Sequence, residues 1–201
     1  MIQSVKFDSS KMDIKKLSNS ALTFIINRLI EIIGITVSFL GILLLVALLS
    51  YSSNDPNFIF PDNTEIKNLI GFQGSYISDL FLQSLGLISH LIPLTFLFTG
   101  VTIFKKKKFL IFFENIFFII LYSLVGSLFF SYYYQDAFVL YINGNGGFVG
   151  NYLNGPFIND FINLYEKVFY YIFLVIIFLI FLISINFNLK NFFSSIKKFL
   201  S

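Results

Sequence analysis

The 201-residue chain has no cysteine, which excludes a disulfide, a thiolate metal site and a cysteine nucleophile. It has no tryptophan, so an aromatic belt at a membrane surface must be built from tyrosine. Its one histidine, His90, stands alone. A lone histidine reads as a packed or hydrogen-bonded side chain before it reads as a metal ligand. Charge is the largest deficit: 12% of the residues are Asp, Glu, Lys or Arg, where a globular chain has about 25%. With 56% hydrophobic residues and a mean hydropathy of +0.80, the chain cannot cover a water-facing surface, and lipid is its expected solvent. Phenylalanine is abundant at 29 residues, as are Ile, Asn and Lys. Genome-wide nucleotide bias produces such enrichments, so the mere number of Phe or Asn residues carries no argument.

A hydrocarbon core of about 30 Å needs about 20 apolar residues as a helix. Four segments qualify: Leu29–Leu49, with Glu31 near its start; Ile77–Phe104, which contains Asp79, His90 and Pro93; Phe109–Tyr134, with Glu114 near its start; and Val168–Phe187, which is free of charge. Strand-period alternation is absent, which argues against a barrel. The first segment is too long for a signal peptide, whose apolar region is typically about 7–15 residues, and it follows a polar stretch. The expected fold is all-α and polytopic, with a segment 1–28, a four-span region 29–187 and a basic tail 188–201.

The 14 basic residues fall five before span one, one between spans one and two, four between spans two and three, one between spans three and four, and three after span four. Lys and Arg resist translocation, so the rich segments stay cytoplasmic and both ends are expected inside. The Lys105–Lys108 run reads as a contact for anionic lipid headgroups. Four lysines in a tight hairpin without interleaved aromatics are too little for a DNA groove.

The first outer loop, 51–73, holds Asp55-Pro56, Pro61-Asp62, Asn63, Asn68 and Gly71, with Gly74 just beyond. Pro and Gly beside Asp and Asn are turn chemistry. The second, 135–166, holds Gly144, Gly146, Gly147, Gly150 and Gly155-Pro156. It lacks the Gly-Lys-Ser/Thr of a phosphate-cradling loop, so it reads as a flexible or tightly turned connection. Small residues let helices approach in lipid. Gly34, Ser38 and Gly41 share one face of span one, and Ser123, Ser127 and Ser131, with Gly126 beside them, one face of span three.

Span two is the unusual one. If helical from Ser75, it carries Ser75, Asp79, Gln83, Gly86 and His90 along one stripe. Pro93 is expected to bend it by removing a backbone hydrogen bond. An ionisable residue at membrane depth is a functional candidate. Asp79, however, follows a Gly-rich turn, so an outer-interface role in holding the loop is its leading reading. The alternative is a small transporter or channel subunit in which Asp79 and His90 line a hydrated path.

In order, Ser50-Tyr51-Ser52, Asp55-Pro56, Asn68, Gly71, Gly74, Asp79, Gly86, Pro93 and Gly100, then Gly146-Gly147 and Gly150, form a pattern. It resembles the N-terminal four-span membrane domain of FtsK/SpoIIIE-type bacterial DNA translocases, from about Gly34 to Phe187. Ser53 stands where the family often has Pro, Ser75 and Ser78 replace Ala, and the family's Trp near Gly100 is missing. The resemblance implies a membrane anchor in the bacterial inner membrane at the division septum. Its expected partners are membrane lipids, further copies of itself and other division proteins. It also implies a linker and an ATP-driven motor beyond Ser201, through which alone DNA would be engaged. No P-loop pattern occurs in these residues, so no catalytic role and no cofactor is expected of them. Asp55, Pro56, Gly71, Gly74, Asp79, Gly86, Pro93, Gly146, Gly147 and Gly150 are the expected structural or interface residues.

Overall fold

The computed structural model describes residues 2–57, 65–135 and 142–188, and the side chains from residue 16 on, Leu17 excepted. Pro61, Asp62 and Asn63 of the first loop lie outside the described residues, as do Lys190, Lys197 and Lys198, and with them nearly all of the expected basic tail. The described residues form helices and no strands: α1 (Ile2–Leu49), α2 (Phe72–Leu85), a 3-10 segment (Gly86–His90), α3 (Leu91–Lys106), α4 (Leu110–Tyr133), α5 (Gly147–Leu153), α6 (Pro156–Asn163) and α7 (Glu166–Ser184). Among the described residues, four segments are long and apolar enough to cross a membrane: Ser18–Leu49, Phe72–Lys106, Leu110–Tyr133 and Glu166–Ser184. Helix is what lipid demands, because each backbone N–H and C=O must find its partner within the segment.

The bundle has two distinct ends. At one, the polar N-terminal part of α1 meets the α3–α4 turn: Glu31 is ion-paired to Arg28 and, at 3.0 Å, to Lys107. The turn is made by Lys107, whose φ of 55° puts it in the left-handed region while its N–H donates to the Ile103 carbonyl at 2.8 Å. Lys105 and Lys106 occupy the last turn of α3, where the helix dipole favours cations. At the other end lie both long connections. The α3–α4 turn and the start of span one therefore share a side, opposite the two loops.

Close helix approach is set by glycine. A Cβ on Gly34 would lie 2.8 Å from the Gly100 carbonyl oxygen, and one on Gly100 would lie 2.3 Å from that of Gly34. Between them Ser38 Oγ donates to the Leu97 carbonyl at 3.0 Å. The small-residue face expected on α1 thus packs on α3. Gly100→Val is expected to wedge the pair apart and destabilise the bundle by about 1–3 kcal/mol, the usual range for overpacking. Detergent-titrated unfolding followed by circular dichroism measures this, with Gly155→Ala as control, since a Cβ there meets nothing within 4 Å.

Buried polar rungs join α3, α4 and α7. Thr95 Oγ1 lies 3.1 Å from both the Tyr122 hydroxyl and Ser184 Oγ. One turn further, Asn115 Nδ2 donates to Thr99 Oγ1 at 2.7 Å, and Asn186 Nδ2 to Asn115 Oδ1 at 3.1 Å. In lipid, where apolar contact does not distinguish a helix from its solvent, such bonds fix partner and register.

Three sequence expectations change. The break in span two is at Gly86, not Pro93. Gly86 has φ 74° and ψ −150°, a region open essentially to glycine alone. Pro93 is the third residue of α3, in a first turn where a missing N–H is tolerated. The five-residue stripe is consequently interrupted. Ser75, Asp79 and Gln83 are buried together on α2, whereas half-buried His90 lies beyond the break, its Nδ1 3.1 Å from the Leu87 carbonyl. The second loop, expected as flexible or tightly turned, folds into α5 and α6, and α5 packs on α2 and α4. Glycines that looked like turn residues serve there as contact surfaces.

Candidate functional site

The end of the bundle opposite Lys107 holds a continuous polar clasp. It begins where α1 stops. Ser50 Oγ donates to the Val46 carbonyl at 2.7 Å and accepts the Leu69 N–H at 3.1 Å, tying the returning loop to the helix end. Asp55, 3% exposed, accepts the Lys67 N–H on Oδ1 at 3.0 Å and the Asn68 N–H on Oδ2 at 2.8 Å. Asn68 works in the other direction. Its Nδ2 donates to the Ala47 carbonyl at 2.8 Å, and its Oδ1 accepts the Ile70 N–H at 3.1 Å. Gly74 makes room for it, because a Cβ there would lie 2.2 Å from Asn68 Oδ1. Pro56 contributes its carbonyl, which accepts from Ser75 Oγ at 2.6 Å. Gly71 starts α2 with φ 74° and ψ −154°.

Asp79 is 3% exposed, one helical turn below Ser75. Its Oδ1 accepts from the Tyr51 hydroxyl at 3.1 Å and from Gln83 Nε2 at 3.4 Å. Tyr51 lies two residues past the end of α1, so Asp79 sits at the loop end of the bundle and not at its middle. Among the described residues neither Asp55 nor Asp79 is ion-paired. Gln83 passes the network on. Its Oε1 accepts the Asn143 N–H and its own carbonyl accepts Asn143 Nδ2, both at 3.2 Å. Asn151 Nδ2 then donates to the Asn143 carbonyl at 2.7 Å, and Asn151 Oδ1 accepts from Ser131 Oγ on α4 at 2.9 Å.

The second half of the clasp is backbone on backbone. The Leu87 N–H, freed by the break, donates to the Asn145 carbonyl at 2.9 Å. A Cβ on Gly86 would lie 2.0 Å from that same oxygen, and one on Gly147 would lie 2.6 Å from the Gly86 nitrogen. Gly146 and Gly150 rest on α4, where a Cβ would come within 2.5 and 2.3 Å of the Ser127 carbonyl oxygen. Ser127 Oγ donates to the Leu85 carbonyl at 2.8 Å, so α4 caps the frayed end of α2 while α5 covers it.

Of the expected residues, Asp55, Pro56, Gly71, Gly74 and Asp79 come together around the α1–α2 connection. Gly86, Gly146, Gly147 and Gly150 meet at the break. Pro93 stands apart, its carbonyl oxygen 2.9 Å from where a Cβ on Gly41 would be. Asp79 and His90 are on opposite sides of the break and share no hydrogen bond or ion pair among the described residues. Sequence reading missed Asn143, Asn145 and Asn151. Their signal was asparagine interleaved with glycine, which compositional bias obscured.

Chemically the clasp accepts and donates hydrogen bonds to backbone and offers no nucleophile–base pair. Among the described residues no three His, Asp or Glu side chains converge to hold a metal ion. Asp79→Asn keeps an oxygen acceptor for Tyr51, so the expected loss of stability is about 1 kcal/mol or less, read from the same unfolding titration.

Residues 27–197 match the family described as the 4TM region of DNA translocase FtsK/SpoIIIE. Curated relatives include the DNA translocase FtsK of Rickettsia prowazekii, 34% identical over 74 residues, 35% of this chain and 10% of that protein. The DNA translocase FtsK of Caulobacter vibrioides is 39% identical over 69 residues, 34% of this chain and 8% of the relative. That of Azospirillum brasilense is 32% identical over 87 residues, 42% and 14% of the two chains. The matched part thus spans about a tenth of the length of these relatives. No solved structure gives a significant match.

Proposed function

The chain belongs to the family of four-span membrane regions of FtsK/SpoIIIE DNA translocases, and from that premise we propose that it anchors a cytoplasmic DNA-pumping motor in the inner membrane at the division septum. It is a multi-pass membrane domain and not the motor itself. The observation that carries the reading is the family match over 27–197. The loop-end clasp, whose side chains tie the two connections to the helix ends, supports a structural role for that end.

In this reading the Lys105–Lys108 turn and both ends of the four-span region face the cytoplasm, which the basic-residue distribution supports. The clasp then faces outward, where other division proteins would meet it. Chromosome segregation and DNA contact would belong to a motor joined through the segment after α7. The four-span region would gather with further copies of itself around that motor.

A fluorescent protein fused after Ser201 in dividing cells tests the proposal. The expected result is a band at the septum, with signal from a reporter that fluoresces only in the cytoplasm. Even membrane fluorescence without septal enrichment would count against the anchor. The transporter alternative predicts a flux in reconstituted vesicles that Asp79→Asn abolishes, whereas the anchor predicts no flux from either form.

A further inference from the structure

On the lipid-facing side of the α1–α3 crossing lies an apolar groove of about 380 Å³, within the range of small-molecule sites, about 300–1,000 Å³. It exists because Gly34 and Gly100 draw the helix axes together while their larger neighbours stand out on either side. Ile35, Phe39 and Ile42 form one wall, and Val101 and Phe104 the other. Ile35 and Phe39 are each more than half exposed.

The groove runs toward the basic end, and the helical repeat places a cation above each wall. Arg28 precedes Ile35 by seven residues on the same face of α1, a rise of about 10 Å. Lys105 follows Val101 by four on the same face of α3. Arg28 is 57% exposed although one guanidinium nitrogen pairs with Glu31, which leaves most of its five N–H donors for another acceptor. Each Glu31 oxygen takes one cation, Arg28 or Lys107, so this one carboxylate holds two cations at the mouth and leaves the trio net positive. Lys105 makes no ion pair among the described residues. Among the described side chains, Glu114, on α4, is a further carboxylate near this end and makes no ion pair, and Lys106 and Lys108 outnumber it.

We propose that this groove is a binding site for one anionic phospholipid, with an acyl chain between the walls and the phosphate held by Arg28 and Lys105. Charge selects the occupant. An apolar slot alone takes any acyl chain, but a slot leading to a positive mouth retains a lipid with a negative headgroup over a zwitterionic one. Glu31 is a positioning residue, since it orients Arg28 and Lys107 without touching the lipid.

The test is native mass spectrometry of the full chain, stripped of lipid in detergent and titrated with phosphatidylglycerol or phosphatidylcholine. A cation at an anionic headgroup is worth about a fivefold change in affinity, so two give phosphatidylglycerol an advantage of about 25-fold. Arg28→Gln with Lys105→Gln is expected to erase that preference, and Lys16→Gln, more than two turns further along α1, to leave it intact. Ile35→Trp, at a wall position more than half exposed, is expected to fill the slot and lower retention of both lipids. Equal affinities for the two lipids in the parent chain would overturn the proposal. So would a preference that survives the double substitution, or a parent dimer that Ile35→Trp turns into a monomer, which would assign the groove to a second copy.

Discussion

Gly86→Ala is expected to prevent the two halves of the clasp from closing, and with them the packing of α5 on the break. Two costs combine at this position. The backbone sits at φ 74°, ψ −150°, where a residue with a Cβ is strained by about 1–3 kcal/mol. The new methyl would also lie 2.0 Å from the Asn145 carbonyl oxygen, the acceptor that satisfies the Leu87 N–H. Moving that oxygen away leaves the Leu87 N–H without its acceptor, at a further cost of about 1–3 kcal/mol. The total, about 2–6 kcal/mol, is a large share of a small domain's stability, about 5–15 kcal/mol. Gly71 provides the comparison. It has nearly the same backbone angles, but a Cβ there meets nothing within 4 Å. Gly71→Ala should therefore lose only the strain, about 1–3 kcal/mol. The measurement is the unfolding midpoint of both variants in a detergent titration followed by circular dichroism. A Gly86→Ala protein no less stable than Gly71→Ala would show that α5 does not pack on the break.

Asp55→Ala is expected to have the second largest effect and a different signature. One carboxylate accepts two consecutive backbone N–H groups, at 3.0 and 2.8 Å. Hydrogen bonds to a charged group contribute about 1.5–3 kcal/mol each, and removal leaves the buried Asn68 donor without an acceptor, so the expected loss is about 3–5 kcal/mol. Alanine offers no acceptor to either donor. Asp55→Asn keeps one oxygen but turns an NH2 toward the other N–H, and should fall between alanine and the parent. The loss is local before it is global. Amide hydrogen exchange at Lys67 and Asn68 should accelerate strongly in Asp55→Ala, while amides in the middle of α4 keep their protection. Asn68→Ala should produce much the same loosening. The two changes together should be less than additive, because each removes part of one network. Unchanged exchange at 67 and 68 would remove Asp55 from its place as the loop's anchor.

Much of this protein was determined by its sequence alone. Four apolar runs with scarce charge require a polytopic helical protein, because only a helix satisfies twenty successive backbone groups in hydrocarbon. Gly34, Ser38 and Gly41 at helical spacing announced a close-packing face, and α3 is what occupies it. Asp55, Asn68, Gly71 and Gly74 were legible as turn chemistry of the first loop, but the partners of Asp55 and Asn68, 12 to 21 residues away, were not. The tertiary structure decided what depends on distant residues. Pro93 looked like the kink by its local chemistry, yet it lies in a first turn that tolerates it, and Gly86 breaks the span because Asn145, 59 residues away, supplies the acceptor for the next N–H. Gly146, Gly147 and Gly150 looked like slack, yet they are the contact surface of α5, because a glycine that permits a turn and one that admits a neighbouring backbone are the same letter. Asn143 and Asn151 looked like compositional background, yet they carry the clasp from Gln83 to Ser131. Pairings over such separations leave no periodicity to read, and only the folded chain shows which asparagine has found a partner.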